Sequence, residues 1–431
     1  MKARQTFLLT VGAAGLVIAA ILGVVATSNR AGEPEQQAPA TAHPTTPADL
    51  RIRAGENQIR LAPDKPDGYN LLVSAYMQKA RETGDYHFNS KAEEALGKSS
   101  AIAPDNYDSI KLRAKLLLIY HRFGDALAEA RRAQSQRPED HDVYGALTDA
   151  YVELGDYERA VNAAQKMVDI RPDAASYSRV AYLRSLHGDI EGAIEAMEVA
   201  VKAADPRDPE GVAWYRLHLG DELMNAGRAA EGEREYDHAL AVFPGHELAL
   251  AAKARARVAA GDYKVAIELY RDHKSHDRLL ALGEIYAKLG RDEEARKSFE
   301  AFEAAERVAA AEENDMSHLA RFWADRGINL EEAVKAMRGE RERRADVFTC
   351  DALAWALFKS GRLEEARVAI ADALRLGTRD ARINFHAGMI YNALGDRRRA
   401  AKHLRMALNS NSSFDLLKAE MARRTLAALG G

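Results

Sequence analysis

A single cysteine, Cys350, stands in 431 residues, so the chain can close no internal disulfide. It also rules out a metal knot of the kind that needs two Cys-x-x-Cys pairs. In the stretch DVFTCDALAWALF the thiol occupies a packed position of a helical pattern, and Cys350 is read as a core residue. Proline is sparse, with 12 in all and none after Pro244. Later helices must therefore stop on glycine or asparagine, or run on. The segment from Arg291 to Asp315 holds no breaker, which predicts an unusually long helix there.

Signatures of catalysis are missing as well. No Gly-rich phosphate loop, Gly-x-Ser-x-Gly elbow or Asp-rich calcium loop occurs. His246 and Glu247 begin like a zinc-protease motif, but no second histidine follows one turn later. His273 and His276 could share one helical face, yet no third ligand stands near them in the sequence. The reading is a non-enzymatic chain with no cofactor and no bound metal. A metal-linked function for its 13 histidines requires a spatial cluster that only the fold can supply.

Blocks of like charge are absent too. The formal net charge is −4, and it becomes −7 once the three basic residues of the first 30 are set aside. Nucleic acid is therefore not an expected partner, because backbone binding draws on a clustered positive surface. Only one long apolar run exists. Phe7 to Ala26 is uncharged over 20 residues, about 30 Å as a helix, which matches the hydrocarbon core of a bilayer. Lys2 and Arg4 precede it and would hold the N-terminus in the cytoplasm. The expectation is a single-pass anchor over residues 1–29 of a bacterial inner membrane, with the remainder outside the cytoplasm. The alternative is release after cleavage near Ala26. Gly15, Ala19 and Gly23 fall four apart, a small-residue spacing open to homodimerisation. Residues 30–48 carry four of the prolines and almost no large apolar group, and they read as a disordered tether.

What the chain has in abundance is one design, repeated. In YVELGDYERAVNAAQKMVDIRP, residues 151–172, Gly155 ends one amphipathic helix, Asp156 caps the next, and Pro172 stops it. Ala160, Ala164, Met167 and Val168 put small or flexible groups on one face. Turn signals of this kind recur at Gly84, Gly124, Gly155, Gly188, Gly227, Gly261, Gly290, Gly327, Gly361 and Gly395. Pro104, Pro138, Pro172 and Pro206 stand 34 residues apart each time. Two short helices cannot bury a face alone, so each pair needs a neighbour.

This period, with Gly283 and Tyr286, Gly388 and Tyr391, Ala295 and Phe299, Tyr236 with Ala239 and Pro244, and Ala366, Ala373, Ala400 and Ala407, resembles the tetratricopeptide repeat family. The resemblance runs from about Pro66 to Phe414, and the chain resembles bacterial envelope repeat proteins generally. It implies an all-α, right-handed solenoid of about ten helical hairpins over residues 49–412. Residues 413–431 would form a terminal cap that buries Leu416, Leu417, Met421 and Leu426 and turns Lys418, Arg423 and Arg424 outward. The unit around Gly261 departs from the pattern, placing Lys253 and Arg257 where Leu and Tyr are wanted.

In such proteins the first helices of successive units line a concave groove that binds peptides or extended protein segments. Asp149, Tyr182, Trp214, Asp221, Glu284, Asp351, Trp355 and Phe385 are the candidates that project into it without being demanded by packing. Aromatic groups beside acids suit a partner bearing Lys or Arg and an apolar anchor. The implied function is a membrane-tethered scaffold, or alternatively a periplasmic chaperone-like accessory of a translocon or a cytochrome-maturation system.

Overall fold

The computed structural model describes residues 46–271, 275–313 and 315–430. The apolar run Phe7–Ala26, the small-residue stripe at Gly15, Ala19 and Gly23, and nearly all of the tether lie outside those residues, as does His273. Among the described residues every regular element is a helix, and none is long and apolar enough to cross a membrane.

The chain divides into two compact units. Up to Leu112 it forms α1 (Pro47–Leu61), α2 (Pro66–Thr83), α3 (His87–Ile102) and the start of α4 (Tyr107–Ile119). Thr46 and Asp49 cap α1 reciprocally, and Asp49 pairs with Lys79 at 2.8 Å. The helix therefore begins inside the stretch whose composition reads as tether. Buried Asn70, Ser99 and Ser109 hydrogen-bond to one another, with Asn106 completing the network.

From Arg113 onward the helices alternate in antiparallel pairs: α5 (Phe123–Gln136); α6 (His141–Glu153) with α7 (Tyr157–Ile170); α8 (Ala174–Leu186) with α9 (Ile190–Ala203); and α10 (Pro209–Asn225) with α11 (Ala229–Val242). There follow α12 (Glu247–Ala259) with α13 (Tyr263–Arg271), α14 (Asp277–Lys288) with α15 (Asp292–Glu313), and α16 (Ser317–Arg326) with α17 (Leu330–Arg343). The last are α18 (Val347–Lys359) with α19 (Leu363–Ala373), α20 (Ala381–Ala393) with α21 (Arg397–Ser410), and α22 (Lys418–Ala428).

Local chemistry accounts for these boundaries. Asp140, Asp156, Asp173, Asp189, Asp208, Asp346, Asp380 and Asp396 each accept a hydrogen bond from an amide in the first turn they cap. Each such cap is worth roughly 1 kcal/mol. Ala160, Ala164, Ala193, Ala200, Ala239, Ala366, Ala373, Ala400 and Ala407 are fully buried, so paired helices approach on methyl groups. Gly220, Gly283 and Gly388 lie under Tyr236, Phe299 and Leu404, where an added Cβ would come within 2.4–2.6 Å. Cys350 is fully buried. The breaker-free segment forms the 22-residue α15.

Two details of the helices differ from the sequence reading. In α12 the irregular Lys253 and Arg257 reach back to α11, pairing with Asp237 at 2.7 Å and Glu233 at 2.5 Å. The register survives because Ala249, Ala252 and Ala256 supply the buried face. The terminal helix is rotated from the expected orientation. Ala419 and Ala422 are buried while Leu417 and Met421 remain exposed, because small side chains permit closer approach and Lys418 turns inward to Asp325 (3.0 Å) and Asp415 (2.9 Å).

Within residues 113–430 the array returns upon itself. The Ala345 N–H donates to the Glu153 carbonyl (2.8 Å) and the Val347 N–H to the Tyr157 hydroxyl (2.9 Å), 190 residues away along the chain. Arg344 bridges buried Glu153 at 2.7 Å and buried Asp346 at 2.9 Å. Asn411 Nδ2 donates to the Met224 carbonyl at 2.9 Å. Three successive turn glycines, Gly155, Gly188 and Gly227, abut the loops at Ala345, Gly377 and Ser410. Their φ values of 74°, 79° and 75° are left-handed, and Cβ atoms at the first two would lie 2.6 and 2.7 Å from backbone oxygens.

Candidate functional site

Where the turns meet, the inner face holds two adjoining chambers, of about 500 Å³ and about 190 Å³, both partly open to solvent. The first helix of each pair supplies most of the wall, since period and packing leave one face of α8, α10, α12, α14, α16, α18 and α20 free of the second helix. Phe348, Asp380, Arg382 and Phe414 border both chambers.

In the larger chamber Tyr182 stacks on Phe348 with centroids 6.5 Å apart and planes 12° off parallel. Trp214 meets the ring of His218 at 4.1 Å. Asp221 accepts from the Tyr236 hydroxyl at 2.9 Å and lies 3.4 Å from Arg255. Glu222 is held only by the Ser185 hydroxyl, at 2.9 Å, and Glu284 has no ion-pair partner within 4 Å among the described residues. Burial pushes both carboxyls up to about 7, with Asp415 adding to the effect at Glu284. Both side chains still border the chamber, so a charge placed there would reach them directly. Burial raises Asp380 in the same way. Lys418 opposes the burial of Asp415 and, with a backbone amide, holds that group at about 2.

The smaller chamber brings Asp351 and Trp355 together. His386 Nδ1 lies 2.9 and 3.0 Å from the two oxygens of Asp351, and its ring stacks on Trp355 at 4.1 Å. The His386 Nε2 is buried without a hydrogen-bond partner among the described residues. Trp355 donates from its indole to Asp325 at 2.8 Å. Arg321, facing this chamber, has no carboxylate within 4 Å among the described residues, and burial with neighbouring Arg344 and Arg382 lowers its pKa.

Of the eight residues singled out from the sequence, Tyr182, Trp214, Asp221 and Glu284 border the large chamber and Asp351 and Trp355 the small one. The other two do not line either. Asp149 is clamped by Arg179 on the next pair, at 2.8 Å and 2.5 Å, and Phe385 is fully buried against Trp355 and Phe414. Sequence reasoning missed Glu222, Arg255, Arg321, Asp325, Arg382, His386 and Asp415. The signal for Glu222 was its place one residue after Asp221. Nothing local marked the others, whose surroundings come from distant pairs.

Family profiles described as tetratricopeptide repeat match residues 117–186, 217–278, 276–305 and 352–415. No curated protein matches the chain. Among solved structures, the human IFIT1 dimer with m7Gppp-AAAA is similar at 14% identity, covering 76% of each chain with a TM-score of 0.49. The anaphase-promoting complex hetero-tetramer Cut9-Hcn1 is similar at 14% identity over 87% of this chain and 92% of that one, TM-score 0.33. A thermophilic repeat protein of Thermus thermophilus, TTC0263, is similar at 17% identity over 48% of this chain and 98% of that one, TM-score 0.36.

Proposed function

Because the chain belongs to the tetratricopeptide repeat family of helical-hairpin interaction scaffolds, we propose that its chambered inner face binds an extended, cationic segment of a protein partner. The observation that carries this reading is the unmet charge of the large chamber. Glu222 and Glu284 border it with no cation in contact, and Asp221, Asp380 and Asp415 add to an acidic lining that Arg255, Arg379 and Arg382 do not balance in number. Lysine or arginine side chains of a partner would ionise the two raised carboxyls, while Trp214, Tyr182 and Phe348 offer flat apolar surface for an anchor.

The test uses two labelled peptides of equal length, one alternating Lys with Leu and one alternating Glu with Leu, titrated into the full-length chain. The cationic peptide should bind at least tenfold more tightly, and Glu222→Gln with Glu284→Gln should remove most of that preference. Equal binding of both peptides, or a preference untouched by the double substitution, overturns the reading.

We also propose that Phe7–Ala26 tethers this surface to the outer face of a bacterial inner membrane, on the strength of its length and the preceding Lys2 and Arg4. Alkaline phosphatase fused after residue 48 should then be active in a bacterial host. An active cytoplasmic reporter at the same point would reverse the topology.

A further inference from the structure

Away from the chambers, three potential metal ligands converge where three helices meet, with a fourth beside one of them. Asp277 opens α14, Glu306 lies on α15, and His318 sits in the first turn of α16, and each places a ligand atom within 4.8 Å of the other two. His276, just before Asp277, brings its Nδ1 to 3.7 Å from Glu306 Oε1. The Glu306 residue is only 6% exposed, and among the described residues no hydrogen bond and no lysine or arginine within 4 Å satisfies its carboxylate. Two carboxylates turned toward one point, one of them buried, repel unless a cation sits between them.

We propose that His276, Asp277, Glu306 and His318 form a zinc site that fastens the α14–α15 pair to α16. Imidazole and carboxylate ligands without thiolate suit Zn²⁺ in tetrahedral coordination. Tetrahedral bonds of about 2.0–2.2 Å set neighbouring ligand atoms about 3.4 Å apart, so the side chains draw inward from their present spacing when the metal binds. The ligands come from both ends of the segment that contains the long α15, and a metal there ties the far end of that helix to the start of α14. The other cluster with ligand-like spacing, Asp140, His141 and Asp142, lacks this character. Its buried member is His141 and neither carboxylate is buried; the His141 Nε2 is engaged by Asp173 at 2.9 Å and Arg171 at 2.5 Å, and its Nδ1 lies 3.2 Å from Asp142.

The full-length chain, stripped with a chelator and titrated with zinc chloride, should take up one equivalent. Glu306→Gln and His318→Ala should each weaken uptake at least tenfold while the far-ultraviolet helix signal is unchanged, and His141→Ala should bind as the parent does. Cobalt in place of zinc should give the visible absorption of a tetrahedral site in the parent chain, a readout that needs no variant to fold. No stoichiometric uptake, uptake unaltered by both Glu306→Gln and His318→Ala, or loss in His141→Ala overturns the proposal.

Discussion

Gly155 and Gly361 occupy the same place in their hairpins, with φ of 74° and 78°, yet only Gly155 faces a backbone oxygen at 2.6 Å from a virtual Cβ. Replacing either by alanine forces a left-handed backbone on a residue with a side chain, a penalty of roughly 1–2 kcal/mol. Gly155→Ala must also displace the loop at Ala345, so it should lose at least about 1 kcal/mol more than Gly361→Ala in denaturant titration. At the same scale, Glu222 and Glu284 rise from 4.5 to about 7 in the folded chain, which favours their protonated forms. Their contribution to stability is therefore full below pH 4.5 and is lost as pH rises through about 7. A cationic occupant prefers the ionised forms, so its affinity should climb over that upper range, and Glu222→Gln with Glu284→Gln should flatten the profile. The inward phase of Tyr182, Trp214 and Asp221 was legible because helical period alone fixes it. The clamp of Arg179 on Asp149 and the burial of Phe385 were not, since each depends on which neighbour packs alongside.

At the level of elements, many caps and turns were readable because their determinants are adjacent in sequence: an aspartate before eight of the helices and a left-handed glycine in the turn of most hairpins. The terminal helix shows the limit. Hydrophobicity chose Leu417 and Met421 for its buried side, whereas fit chose Ala419 and Ala422, with Lys418 drawn to Asp325. Two mid-helix glycines should respond with opposite signs. Gly339→Ala in α17 meets open space and should stabilise by about 0.5–1 kcal/mol through higher helix propensity. Gly283→Ala in α14 drives a methyl to 2.6 Å from the Phe299 ring and should destabilise by about 1–3 kcal/mol. Thermal melts of the two variants check both directions.

For residues 113–430 as a body, repeat proteins are expected to hold together through nearest neighbours alone. The Arg344 bridge breaks that rule, because it joins pairs that are remote in sequence. Arg344→Ala leaves buried Glu153 and Asp346 without their counter-ion, a loss on the order of 3 kcal/mol. Amide exchange should then quicken in α6 and α7 as well as in α18, but not in α14. A response confined to α18 would show that the meeting of turns carries no energetic coupling. No period or propensity announces a contact 190 residues long, which is why the meeting of remote turns, unlike the hairpins and the inward phase of their first helices, was invisible in the amino-acid order.

The three glycine turns that rest on the loops at Ala345, Gly377 and Ser410 also bear on how such a gene can change. Tandem arrays ordinarily tolerate gain or loss of a unit, since a spare hairpin merely lengthens the stack. Here a duplication between Gly227 and Ala345, the interval that all three junctions span, would misalign them together, so the number of units in that interval is counted by the fold itself.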